Sequence, residues 1–131
     1  MILEVKGIRK TFDKTEILHG ISFTVQSGKA MGFLGRNGAG KTTTFRCLMN
    51  VFKQTEGEFL LDGKPFDVNQ NHIGYLPEER GMYAKVSLKD QLAYFAKLKG
   101  ADNKKAAEEA EYWIDYFGLK EYTNKKLETL S

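Results

Sequence analysis

The spacing of apolar residues divides the chain into a β-like first third and a helical last third. ILEVKGIRK (residues 2–10) reads as a strand with an apolar start. ISFTVQSGK alternates cleanly, with Ile21, Phe23 and Val25 on one face and Ser22, Thr24 and Gln26 on the other. That period of two predicts a half-buried strand, and Ser27-Gly28 is its turn signal. AMGFLG (residues 30–35) is an unbroken apolar run, as expected of a strand buried on both faces. TTTFRCLM (residues 42–49) then reads as helix. EFLLDG (residues 58–63) predicts a strand closed by an Asp-Gly turn, and HIGYL (residues 72–76) a short strand broken at Pro77. A second helix is expected from Ser87, where Leu88, Leu92, Phe95 and Ala96 recur at helical spacing. Ser87 and Asp90 resemble a capping box with Asp in place of the usual Glu. Asp102 or Asn103 caps a third helix, KKAAEEAEYWIDYF, and Gly118 suits the position after its end. Tyr112, Trp113, Tyr116 and Phe117 on that helix are expected to pack in a core or between helices.

Composition narrows the class without fixing it. At 131 residues and 41% hydrophobic content there is room for one domain with a sizeable core. No apolar run reaches the roughly eighteen residues that a membrane span needs. MILEVKGIRK lacks the apolar stretch of a secretory signal. The net charge of +3 comes from lysines scattered along the chain, which reads as a solvated surface, so no nucleic-acid partner is expected. Cys47, the one cysteine, excludes an intrachain disulfide and suits a reducing compartment. It reads as a small buried hydrophobe and not a nucleophile. His19 and His72 have no ligand-like spacing.

The chemistry concentrates in GRNGAGKTT. Gly35, Gly40, Lys41 and Thr42 satisfy G-x-x-x-x-G-K-[ST], the P-loop pattern. A triphosphate needs many donors converging on a small, highly charged volume. Glycines let the backbone curl so that successive N–H groups point inward, and a helix starting near Lys41 adds its positive dipole end. Lys41 supplies a point charge to the β- and γ-phosphates, and the Thr42 hydroxyl binds Mg²⁺. The expected phosphate-binding residues are therefore Gly35, Arg36, Asn37, Gly38, Ala39, Gly40, Lys41, Thr42 and Thr43.

Beyond this motif the chain, from Leu3 to Ser131, closely resembles the nucleotide-binding domain of ABC-type ATPases. LEVKGIRKTFDKTEILHGISFTVQSGKAMGFLGRNGAGKTTT matches that family's opening. The resemblance implies an α/β P-loop NTPase fold with an N-terminal antiparallel β subdomain and an α-helical subdomain. It implies ATP and Mg²⁺ as cofactors, with a β subdomain, P-loop and Q-loop region over residues 1–80 and the helical subdomain over 81–131. It also implies that Phe12, in KTFDK, is the aromatic that stacks on adenine. Two roles stay open for Phe12: that stacking, and packing into the β core. The family's Q-loop glutamine, which reaches Mg²⁺ and the attacking water, is matched here by Glu78. A carboxylate can ligate Mg²⁺ and adds negative charge beside the phosphates; the alternative is that Glu78, Glu79 and Arg80 form a solvated loop.

The wording LPEERG resembles ATPases paired with ABC-2-type export permeases. The resemblance then implies an ATP hydrolase at the cytoplasmic face of the cell membrane, bound to an integral-membrane permease and closing head-to-tail with a second ATPase domain. A soluble ABC ATPase without a permease and a non-catalytic nucleotide-binding piece are the alternatives. TLS matches the start of the family's signature motif at Leu130 and Ser131. The expectation is that the Walker B aspartate, the catalytic glutamate and the C-terminal part of the core are absent from these residues. The 131 residues are accordingly expected to bind ATP without turning it over.

Overall fold

The computed structural model describes residues 1–78 and 81–130. Glu79, Arg80 and Ser131, named above in the charged loop and the signature motif, lie outside the described residues. The chain forms two compact units, Met1–Leu76 and Pro77–Ser131.

The first unit is a four-stranded antiparallel sheet with one helix. β1 (Ile2–Phe12) and β2 (Thr15–Gln26) form a long hairpin, β3 (Glu56–Leu61) pairs with the other edge of β1, and β4 (Lys64–Pro65) follows, giving the order β2-β1-β3-β4. The alternation seen in the sequence of β2 is the alternation of its burial: Ile21, Phe23 and Val25 are partly covered, and Ser22, Thr24 and Gln26 are exposed. The Asp62-Gly63 turn closes β3 onto β4, both residues taking positive φ. Val5 and Ile8 of β1, Leu18 of β2, Phe59 of β3 and Cys47 of α1 (Lys41–Leu48) make the core. Burying each large aliphatic contributes roughly 1.5–3 kcal/mol.

Two expected strands do not form. AMGFLG has no ladder partner among the described residues and is not a strand; Met31 is exposed and Leu34 is 96% exposed. An apolar run becomes a strand only when neighbouring strands accept its backbone hydrogen bonds. The segment is instead pinned through one side chain. The ring of Phe33 lies 5.3 Å from that of Phe23 on β2 and 5.3 Å from that of Phe45 on α1. HIGYL likewise carries no ladder, and Leu76 is exposed.

The second unit packs α2 (Leu88–Leu98) on α3 (Asn103–Tyr116). Ser87 caps α2 by accepting from Asp90 N at 3.1 Å, and its hydroxyl donates to Asp90 Oδ2 at 2.7 Å. That is half a capping box: the short Asp carboxylate bonds the cap's hydroxyl and not its backbone N–H. Asp102 caps α3 by accepting from Lys105 N at 2.8 Å. α3 ends in a Schellman motif, with Gly118 N donating to Asp115 O and Leu119 N to Ile114 O. The buried stripe of α3 is Ala106, Ala110 and Ile114, at a spacing of four. Tyr112, Trp113, Tyr116 and Phe117 fall outside it and are 44–67% exposed, so the expected packing role does not hold within this unit. They stack on one another instead.

Candidate functional site

The loop between residues 35 and 40 is held from below by β2. Gly40 caps α1 in a left-handed conformation, φ 88°, and a β-carbon there would stand 2.4 Å from Leu18 Cδ2 and 3.3 Å from the Ile17 carbonyl. Only glycine fits this contact between the loop and the strand. Gly38 also has positive φ, 82°, which turns the chain back on itself. Ala39 N closes the turn by donating to Arg36 O at 3.1 Å. At Gly35 a β-carbon would lie 3.3 Å from the Ala39 side chain and 3.7 Å from Cγ and Cδ of Lys41, so both ends of the loop meet.

The start of α1 is locked from inside. Thr44 is buried, and both its N–H and its hydroxyl donate to the Gly40 carbonyl at 2.9 Å. This fixes the direction of the first helical turn. The N–H groups of Gly38, Gly40, Lys41, Thr42 and Thr43 have no protein acceptor among the described residues. α1 carries no acidic residue in its first turn, so nothing on the helix offsets its positive end. Lys41 curls over the loop, its ammonium donating to Gly35 O at 2.5 Å and Arg36 O at 2.9 Å. The Thr42 hydroxyl is on the exposed side, as are Arg36 and Asn37, while Thr43 is half-buried. Unpaired N–H groups, a dipole end and an ammonium are the elements from which an anion-binding loop is built.

Phe12 sits at the end of the same hairpin. It pairs with Thr15, two residues from the Ile17 carbonyl that supports Gly40. At 42% exposure it is not a core residue, and its ring meets Phe52 edge-on at 5.2 Å and 83°. Glu78 is exposed and belongs to the second unit. No group of three or more His, Cys, Asp or Glu side chains able to hold a metal occurs among the described residues. The oxygen donors expected for Mg²⁺ are thus single groups, the Thr42 hydroxyl and the Glu78 carboxylate.

Sequence reasoning missed three residues of this neighbourhood. Leu18 looks like any core leucine, and its contact with Gly40 depends on how the loop folds over β2. Thr44 was detectable, since a threonine four residues after a helix cap can bond the cap's carbonyl. Lys10 is the cross-strand partner of Leu18.

Cys47, on α1, is buried as expected. Burial pushes its thiol above the ordinary range, opposed by the nearby charge of Lys10.

Residues 18–131 match the family model described as ABC transporter. The chain is 41% identical to the uncharacterised ABC transporter ATP-binding protein YhaQ of Bacillus subtilis, over 99% of this chain and 44% of that protein. It is 31% identical to the linearmycin resistance ATP-binding protein LnrL of Bacillus subtilis, over 99% and 43%. The solved structure of CbiO1 from Clostridium perfringens, part of the ABC transporter complex CbiONQ, superposes with a TM-score of 0.72 over 98% of this chain and 55% of that one. At 20% identity that likeness is one of fold. The chain spans less than half the length of these two Bacillus relatives.

Proposed function

This chain belongs to the ABC transporter family, and we propose that it carries the ATP-binding site from which such a transporter is powered. The observation that supports this most is the loop of residues 35–43, seated on β2 through Gly40 and Leu18, with the N–H groups of Gly38 and of Gly40 to Thr43 unpaired among the described residues. In this reading the N–H groups of Gly38 and of Gly40 to Thr43 bind phosphate oxygens. Lys41 exchanges the carbonyls of Gly35 and Arg36 for the β- and γ-phosphates. Phe12 receives the adenine on its exposed ring. The Thr42 hydroxyl and the Glu78 carboxylate are oxygen donors of the type Mg²⁺ prefers. The metal, when bound, neutralises charge on the phosphates.

The whole protein is then an ATP hydrolase, peripheral on the cytoplasmic face of the membrane. It works with a permease and closes head-to-tail with a second ATPase domain. No helix among the described residues is long and apolar enough to cross a membrane. An export role beside an ABC-2-type permease is supported by the LPEERG wording and by the likeness to LnrL, a protein named for linearmycin resistance. Residues 1–131 supply the phosphate cradle and little that would orient an attacking water, so this chain binds ATP without steady turnover.

Titration calorimetry with ATP and AMP tests the reading. ATP should bind at least about tenfold more tightly than AMP, because the added phosphates meet the N–H groups and Lys41. Equal affinities would contradict a phosphate cradle. Phosphate release above the background of Lys41→Ala would contradict the absence of turnover.

A further inference from the structure

The ammonium of Lys10 occupies a corner between two aromatic rings. It lies 4.7 Å from the centroid of Phe12 and 5.1 Å from that of Phe52, and the two centroids are 5.2 Å apart with the ring planes at 83°. The three groups form a nearly equilateral triangle. The corner is closed by a hydrogen bond, Lys10 Nζ donating to the Lys53 carbonyl at 2.7 Å. Lys10, on β1, is thereby tied to the segment that leaves the C-terminal end of α1. Its cross-strand partner is Leu18, the residue on which Gly40 rests.

These contacts have two consequences for Phe12. A phenylalanine at a strand end, 42% exposed, is otherwise free to turn about its side-chain bonds. The cation and the perpendicular ring remove that freedom, because rotating Phe12 would forfeit both contacts. The ammonium also takes one face of the ring. A ring facing a cation has part of its π density drawn to that side. The opposite face then suits a flat π system better than a second cation.

We propose that Lys10 is the positioning residue that holds the Phe12 ring with one face open, and so sets the affinity for the base of the nucleotide and not for its phosphates. The proposal rests on the reading that Phe12 receives the base. Lys10 acts through the ring, as one member of a lysine–phenylalanine–phenylalanine corner built from β1 and the segment after α1.

The test uses two probes, ATP and inorganic tripolyphosphate, titrated into the wild type and four variants with folding checked by circular dichroism. Lys10→Met keeps the aliphatic stem and removes the charge and the bond to Lys53. It should weaken ATP about three- to tenfold, the loss expected of a partly exposed cation–π pair, and leave tripolyphosphate within twofold. Lys10→Gln, a polar substitute should Lys10→Met fold poorly, should show the same split. Lys10→Arg should restore ATP binding to within twofold, because a guanidinium also stacks on aromatic faces. Equal losses for both probes would overturn the proposal by showing that the charge acts on the phosphates. Unchanged ATP affinity in Lys10→Met, with a loss in Phe12→Ala, would overturn the role of Lys10 alone. Unchanged ATP affinity in Phe12→Ala would overturn the stacking role of Phe12, and this proposal with it.

Discussion

Leu18 and Gly40 are in such close contact that no β-carbon fits between them: one built on Gly40 falls 2.4 Å from Leu18 Cδ2. This contact joins the phosphate loop to the sheet. Gly40→Ala must therefore both strain a φ of 88° and displace the buried Leu18 side chain or the loop. It should cost about 2 kcal/mol or more, since the left-handed conformation alone costs roughly 1–2 kcal/mol for a side chain. Gly38→Ala is the internal control. Its φ is also positive, but nothing lies within 4 Å of the added carbon, so it should cost only the conformational part. Urea denaturation of both variants checks the difference, and equal losses would remove the Leu18 contact as its cause.

Phe12→Ala should weaken ATP and GTP together, by roughly 1–3 kcal/mol, because stacking is tolerant of base identity. Competition titrations with both nucleotides measure this. A loss confined to ATP would point to hydrogen-bond readout of adenine instead.

Strand character in β1 and in residues 21–26 of β2, the Asp62-Gly63 turn, the three helices and the caps of α2 and α3 were legible because local chemistry decides them. Alternation marks β2, Ser87 and Asp102 mark helix starts, and Gly118 marks an end. The phosphate loop was legible as well, because the need for glycines at Gly35, Gly38 and Gly40 is itself local. AMGFLG and HIGYL misled because an apolar run reports burial and not pairing, and their partners do not occur among the described residues. The aromatic face of α3 misled for a related reason. Size suggested a core, but the buried positions of α3 are Ala106, Ala110 and Ile114, two of them small. The supports of the site were not legible, since Leu18 beneath Gly40 and Lys10 beside Phe12 exist only once strands and loop are assembled.

The thiol of Cys47 makes a separate prediction about pH. Burial is the larger influence and raises its pKa in the folded chain, with Lys10 opposing. A group whose folded pKa is raised contributes stability that is complete below the unfolded pKa and is lost as pH rises through the folded one. Wild-type stability should therefore fall in the alkaline range more steeply than that of Cys47→Ala. Iodoacetamide should label the folded protein at pH 8 far more slowly than the urea-unfolded chain. Equal labelling rates would contradict a buried, protonated thiol.

Glu78→Gln addresses the metal. Under the proposed role the carboxylate repels bare phosphates and the metal screens that repulsion. The variant should raise ATP affinity in EDTA by more than it does in excess Mg²⁺. Identical effects in the two buffers would mean that Glu78 is a solvated surface charge.

If the loop of residues 35–43 cradles a triphosphate, Lys41 is the side chain whose loss should weaken binding most. Its ammonium rests on the carbonyls of Gly35 and Arg36. Lys41→Ala removes one charge and leaves β2, Gly40 and the cap of α1 untouched, so the fold should persist by circular dichroism. Calorimetric titration with ATP should then show a loss of at least about tenfold, the scale of one charge-assisted hydrogen bond to phosphate. An ATP affinity unchanged from wild type in a folded Lys41→Ala chain would contradict the account.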